Sequence, residues 1–325
     1  MLRIGFHASH EQISPRRLLA DVRHAEQAGF AMAMCSDHVA PWSERQGHSG
    51  NTWPWLGAAL ATTGFRIGTL AIPGPRYHPA VLAHQYATLA QMFPGRVWAA
   101  LGSGEALNEH ITGAPWPPKA QRVEHLEASA DVIRRLLAGE EVSREGPVTV
   151  DRAQLWDRPE QPPPLLAAAI SSESARRAAA WADGLVTVVQ PVETLREVVS
   201  AYRDAGGRGP LALQLHLSWA PTLRQAEQLA IDQWRTNVFP ADVAADTETT
   251  QEFDALAETT DPAAVHESVR ISEDLGRHRE WIAEYAGLGF DEIYLHHVGQ
   301  DQRPFLDVFG DQVLPALVES TEETR

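Results

Sequence analysis

Short apolar runs of strand length recur along this chain, each separated from the next by a longer amphipathic stretch, and this alternation restricts the fold more than any other feature. Runs at 2–7, 31–36, 66–72, 96–102, 165–170, 184–188, 211–217 and 291–296 read as strands. The stretches between them carry helical spacing. In 14–28, Leu18, Leu19, Val22 and Ala25 share one face, Ser14-Pro15 supplies a cap residue and a first-turn proline, and Gly29 ends the helix. Further helices are expected at 79–92, 119–138, 172–181, 192–204, 222–235 and 274–286. Strands that alternate with helices in this way are repeated βα units, not separate all-β and all-α blocks. Eight of them make an α/β fold, a (β/α)8 TIM barrel.

The 325 residues admit either two domains of about 150 residues each or one barrel with insertions. No linker divides the chain, so 1–325 reads as a single domain. Three intervals exceed what a compact connection needs, 38–54, 139–164 and 241–273, which places insertions after strands 2, 4 and 7. Within the last of them, DTETTQEFDALAETTD reads as a poorly ordered lid or as solvated surface.

A net charge of −16 argues against nucleic acid as a partner. Lys119 is the single lysine, so positive charge is almost all guanidinium. One cysteine, Cys35, in the apolar run AMAMC, reads as a small buried hydrophobe and suits a reducing compartment. The first residues lack a targeting pattern and no run reaches membrane-spanning length, so a cytoplasmic location and no membrane partner are expected.

Active sites of such barrels gather at the C-terminal ends of the strands. There the chain places His7, Ser9 and His10, then Asp37 and His38, Pro73 and Gly74, Ser103, Gly104 and Glu105, His216, and His296 with His297. Imidazoles crowded at one rim serve either proton transfer or metal binding. His7, His38, His216, His296 and Glu105 are the candidate ligands for a metal-dependent hydrolase or isomerase, although neither HxH nor HExxH is present. The segment SDHVAPW sets Asp37, His38 and Trp42 just past a strand end: an acid, a base and an aromatic wall, or else a turn cap and a packed indole. In LGSGEALNEH, two glycines let backbone approach a ligand and Glu105 opens a helix. That pattern matches neither a dinucleotide nor a phosphate loop.

Taken together, SDHVAPW, GSGEALNE and GQDQRPFLDVF resemble the luciferase-like family of flavin and deazaflavin oxidoreductases, and most closely its F420-dependent glucose-6-phosphate dehydrogenase branch. The resemblance spans nearly the whole chain. It implies hydride transfer between the cofactor and a small-molecule substrate, with His38 as general base, Asp37 orienting it, Glu105 protonating the reduced ring and Trp42 lining the substrate site. It also implies cofactor contacts from His38, Pro73, Gly74, Ser103, Gly104, Glu105, Asn108, Ala169, Ser171 and Ser172, no metal, and a homodimer to which Trp53, Trp55 and Leu56 contribute unless they pack internally. Two departures stand out. Where F420 enzymes carry a small-residue turn for the phosphate tail, this chain reads AAAISSE with Glu173, which favours FMN over coenzyme F420. The lysines that grip glucose 6-phosphate are missing, with Arg270, Arg277 and Arg303 as substitutes. With FMN, NAD(P)H is a candidate reductant and monooxygenation is open. A barrel that binds flavin or sugar without turnover is a third reading.

Overall fold

The computed structural model describes residues 2–317. Eight parallel strands close on themselves: β1 (Arg3–Ala8), β2 (Ala33–Ser36), β3 (Ile67–Ala71), β4 (Val97–Leu101), then, after a small antiparallel hairpin of β5 (Val142–Arg144) and β6 (Val150–Ala153), β7 (Leu165–Ala168), β8 (Gly184–Val188) and β9 (Leu211–Ser218). A two-residue strand, β10 (Arg270–Ile271), pairs with the end of β9. The last barrel strand, β11 (Glu292–His297), returns to pair with both β9 and β1. All eight expected strands are present, their ends displaced by no more than two residues.

Three features depart from the expectation. The segment before β3 is a helix, Thr52–Thr62, capped by Asn51, whose side chain accepts from Trp53 N at 3.1 Å. TWPWLGAALAT has no polar face, so it carries no helical period to read. Within the insertion 139–164 lies the β5–β6 hairpin. The insertion after β9 is helical, with Thr250–Glu258 opened by a Thr249/Glu252 capping box and anchored by buried Phe253. It is neither unstructured nor bare surface. Among the described residues no helix is long and apolar enough to cross a membrane.

Inside the barrel, side chains alternate in and out, so inward residues form layers. Near the base, Glu292 bonds Arg3, Arg66 and the Tyr294 hydroxyl. Above it, Met34, Trp98, Leu166, Val186, Ala212 and Tyr294 fill the middle. Gly68 is required there, because a Cβ would lie 1.8 Å from the Trp98 ring. Truncating Trp98, which is fully buried, would cost about 3–5 kcal/mol. The upper layer divides in two. β1, β9 and β11 contribute His7, Gln214, His216 and His296, whereas β3, β7 and β8 contribute half-buried Leu70, Ala168 and Val188. A polar semicircle therefore faces an apolar one at the mouth.

Candidate active site

Backbone groups around His38 are held one after another. Thr52 Oγ1 donates to Ser36 O, Arg76 Nη2 to Asp37 O, Ser49 Oγ to His38 O, and Val39 N to Asn108 Oδ1, each at 2.9 Å. This loop is consequently as fixed as a strand. The His38 ring is buried, stands edge-on to Trp42 at 4.4 Å, and has Nδ1 3.5 Å from Glu11 Oε1. Burial, then the Arg76 charge, holds His38 at about 3, so the imidazole is neutral. Burial pushes Glu11 up to about 7 against the opposing bond from Ser9 Oγ, 2.7 Å from Oε2.

The carboxylate at His38 is thus Glu11 and not Asp37. Asp37 turns the other way, to Arg76 Nη2 at 3.2 Å. It cannot orient the imidazole as expected, because a buried guanidinium attracts it more strongly than a neutral ring does.

Across the mouth, Gly104 adopts φ +89°, and a Cβ there would lie 2.9 Å from Ile72 Cγ2 and 3.2 Å from Trp116. The positive φ and these close neighbours both call for glycine here. Glu105 follows as the cap residue of the short helix Ala106–Glu109; its Oε2 is buried with no hydrogen-bond partner. Burial, then the Glu11 charge, raises it to about 7, while a bond from Trp42 opposes the rise. Glu105, Glu11, Trp42 and His38 accordingly face one region.

Several expected cofactor contacts lie elsewhere. Asn108 is turned onto Val39 N, and Ala169 packs outward in the core between barrel and helices. Ser171, by contrast, lines a cleft that starts at Ser103, with its hydroxyl engaged in a capping box with Ser174 at the start of Ser172–Ala178. Pro73 is buried, and Gly74 lies against Glu109, whose Oε2 would be 3.1 Å from an added Cβ. Trp55 and Leu56 are buried inside the monomer, whereas Trp53 packs on Tyr86 at 5.0 Å and stays partly exposed.

Nor do the rim histidines converge on a metal position. The Gln214 amide donates to His216 Nε2 and His296 Nδ1 at 3.1 Å each, His296 Nε2 bonds Gln12 Oε1 at 2.7 Å, and His7 stacks on His296 at 4.4 Å. An amide where a cation would stand ties these imidazoles to one another. Among the described residues no group of three His, Cys, Asp or Glu is arranged to hold a metal ion.

Residues 2–292 match the model of the luciferase-like monooxygenase family. The chain belongs to that family. Curated relatives include an F420-dependent glucose-6-phosphate dehydrogenase of Beutenbergia cavernae, 34% identical with 98% of each chain covered. Another is an F420-dependent hydroxymycolic acid dehydrogenase of Mycobacterium tuberculosis, 33% identical over 97% of this chain and 88% of that protein. Among solved structures, an F420-dependent secondary alcohol dehydrogenase in complex with an F420-acetone adduct superposes with a TM-score of 0.90 at 29% identity, covering 97% of this chain and 99% of the other. This luciferase-like protein is an oxidoreductase of the flavin and deazaflavin type.

Beside the luciferase-like site, starting at Ser103, the residue before Gly104, lies a cleft of about 410 Å³ lined also by Ala168, Ser171, Lys119, Arg177 and the carboxylates Glu124, Glu127 and Glu173. Arg177 is bonded to Glu127 at 2.8 Å. Two residues of the site carry no chemical motif of their own. Glu11 lies in the ASHEQ segment, and Arg76 in PGPRYHP. The usable signal was position, since both follow strand ends, where barrel enzymes concentrate their chemistry.

Proposed function

We propose that this chain moves a hydride between a hydroxyl-bearing carbon of a small uncharged substrate and the deazaflavin F420. The observation that carries the reading is the gathering of three buried, under-bonded atoms, His38 Nδ1, Glu11 Oε1 and Glu105 Oε2, around Trp42 and next to the tightly packed Gly104 turn. When bound, the cofactor supplies a flat hydride acceptor. Ser103 and Gly104 would hold its edge, with Leu70, Ile72 and Ala168 as the apolar bed. Asn108, Ala169, Pro73 and Gly74 act on loop geometry and packing and would not touch it.

The remaining chemistry belongs to the protein. His38, kept neutral by burial, takes the proton of the substrate hydroxyl. Glu11, titrating near 7 beside it, stabilises the imidazolium that forms. Glu105, raised by burial to about 7, can carry a proton near neutral pH and would give it to the reduced cofactor, balancing the proton that His38 takes. Trp42 covers His38 and keeps water out.

Relatives named for F420 support that cofactor. An uncharged substrate is supported by the cation nearest the site, since Arg76 is already bonded to Asp37 and Glu109; of the three arginines considered as phosphate substitutes, Arg270 bonds Tyr285 and Arg277 bonds Glu280, while Arg303 is exposed. A second reading, FMN, is favoured by Glu124, Glu127 and Glu173 along the cleft, which oppose a polyanionic tail. NAD(P)H would then be the electron source and oxygen insertion an open outcome. The test is anaerobic turnover of F420 against a panel of secondary alcohols, beside FMN with NADPH under air. Bleaching of F420 by an alcohol supports the first reading, and NADPH consumption with FMN alone supports the second.

We further propose that residues 1–325 act as one unit, in the cytoplasm, as a homodimer. Support for the dimer comes from the adjacent helices Thr52–Thr62 and Pro79–Met92, which contain no Asp, Glu, Lys or Arg in a chain of charge −16. Val81 and Met92 are 48% and 60% exposed there. Two such acidic copies repel everywhere except on a face of this kind.

A further inference from the structure

We propose that Arg76 is a positioning residue that locks the base-bearing loop after β2 to the acid-bearing helix after β4. The inference rests on the reading of His38 as base and Glu105 as acid. Arg76 comes from neither element: it follows β3, the strand between them. Its side chain is 8% exposed. One edge of the guanidinium reaches Asp37, the residue before His38, through Nη2 to Oδ2 at 3.2 Å and to the carbonyl oxygen at 2.9 Å. The other reaches Glu109, in the helix that Glu105 caps, through Nε to Oε1 at 3.3 Å, and the Arg76 backbone N–H donates to Glu109 Oε2 at 2.9 Å. The cation also lies over the Tyr77 ring at 4.8 Å.

A planar fork can serve both carboxylates and a carbonyl at once. An ammonium at the same place is a point charge without that span. Asp37 and Glu109 are both buried, and with Arg76 removed each would be pushed toward its protonated form or away from the other, releasing the two loops. The distance between base and acid would then no longer be fixed, and misplacement of about 1 Å costs up to about 100-fold in rate.

The guanidinium has a second effect through its charge. The groups that face His38 are Glu11, His7 and His10 from the β1 side, Arg76 and Asp37 from the neighbouring loops, and Glu105 beyond Trp42. Among them Arg76 is the fixed positive charge, and it disfavours an imidazolium. Removing the charge must raise the proton affinity of His38, and the lysine variant must not.

The experiment compares Arg76→Lys and Arg76→Met with the unaltered protein, each checked for native circular dichroism. Nitrogen-15 histidine NMR follows the titration of His38, assigned with His38→Gln, and F420 turnover with a secondary alcohol follows the geometry. The proposal expects the His38 titration to move to higher pH in Arg76→Met and to stay in Arg76→Lys, while kcat falls about 10- to 100-fold in both with KM changed far less. An unmoved titration in Arg76→Met, or full turnover in Arg76→Lys, overturns it. Should Arg76→Met not fold, Glu109→Gln, which cuts one arm of the fork and keeps the cation, must lower kcat, and normal turnover in that variant also overturns the proposal. An unaltered protein that reduces no cofactor sinks the functional reading alone, because the His38 titration still decides whether Arg76 acts on it.

Discussion

Glutamine at position 11 should stabilise the fold at alkaline pH while lowering turnover. Glu11 is about 1% exposed, and burial lifts its carboxyl from 4.5 to about 7. Because the folded value lies above the unfolded one, the native state binds more protons than the unfolded chain between these limits, and stability is lost as pH rises through that window. The interval from 4.5 to about 7 corresponds to about 3 kcal/mol. Glutamine is neutral at both ends, has nearly the same shape, and can still accept the Ser9 hydroxyl bond. Unfolding entropy of about 2.1 cal/mol/K per residue gives about 0.7 kcal/mol/K for 325 residues. Glu11→Gln should therefore melt about 4 °C above the parent near pH 8.5 and almost level with it near pH 5, where the parent carboxyl is protonated. The depressed histidines are common to both proteins and cancel in the difference. Scanning calorimetry at the two pH values is the assay. A melting difference independent of pH would refute the argument that Glu11 is held in a charge-disfavouring site.

His38→Ala should abolish turnover and leave cofactor affinity within a few-fold, as read by ligand fluorescence; undiminished activity would remove His38 from the mechanism. Glu105→Gln should slow the half-reactions of the cofactor about 10²–10⁴-fold, the range expected of general acid catalysis, more than it weakens substrate binding, as read by stopped-flow absorbance. Val81→Glu with Met92→Glu should shift sedimentation toward the monomer without lowering the melting temperature, because both side chains are exposed; an unchanged sedimentation coefficient would place any dimer contact elsewhere.

Much of the barrel was legible because a parallel strand covered on both faces reads as an apolar run between polar helices, as in Leu211–Ser218, where every residue is buried. Thr52–Thr62 was not legible, since a helix with no polar side shows no period. The site was legible in part. His38, Trp42 and Glu105 lie close together past the ends of β2 and β4, which is what their proposed roles require. Asp37 and Glu11 show what linear reading loses: adjacency in sequence made Asp37 the natural partner of His38, but barrel closure brings Glu11 from another strand end to 3.5 Å. Ala169 follows the strand alternation: with Ala168 facing the mouth, the next residue faces the helices. The Arg76 clamp joins three loops and has no signature in any one of them.

The proposed function requires a flat redox ring to seat beside Gly104, near His38 and Glu105. Equilibrium titration of the purified protein with F420 and with FMN, followed by ligand fluorescence and repeated on Gly104→Ala, tests this directly. Saturable binding of F420 that weakens in Gly104→Ala, where the left-handed φ and the contacts with Ile72 and Trp116 force the turn to shift, is the predicted result. Binding of neither ligand, or affinity unchanged in Gly104→Ala, would contradict it.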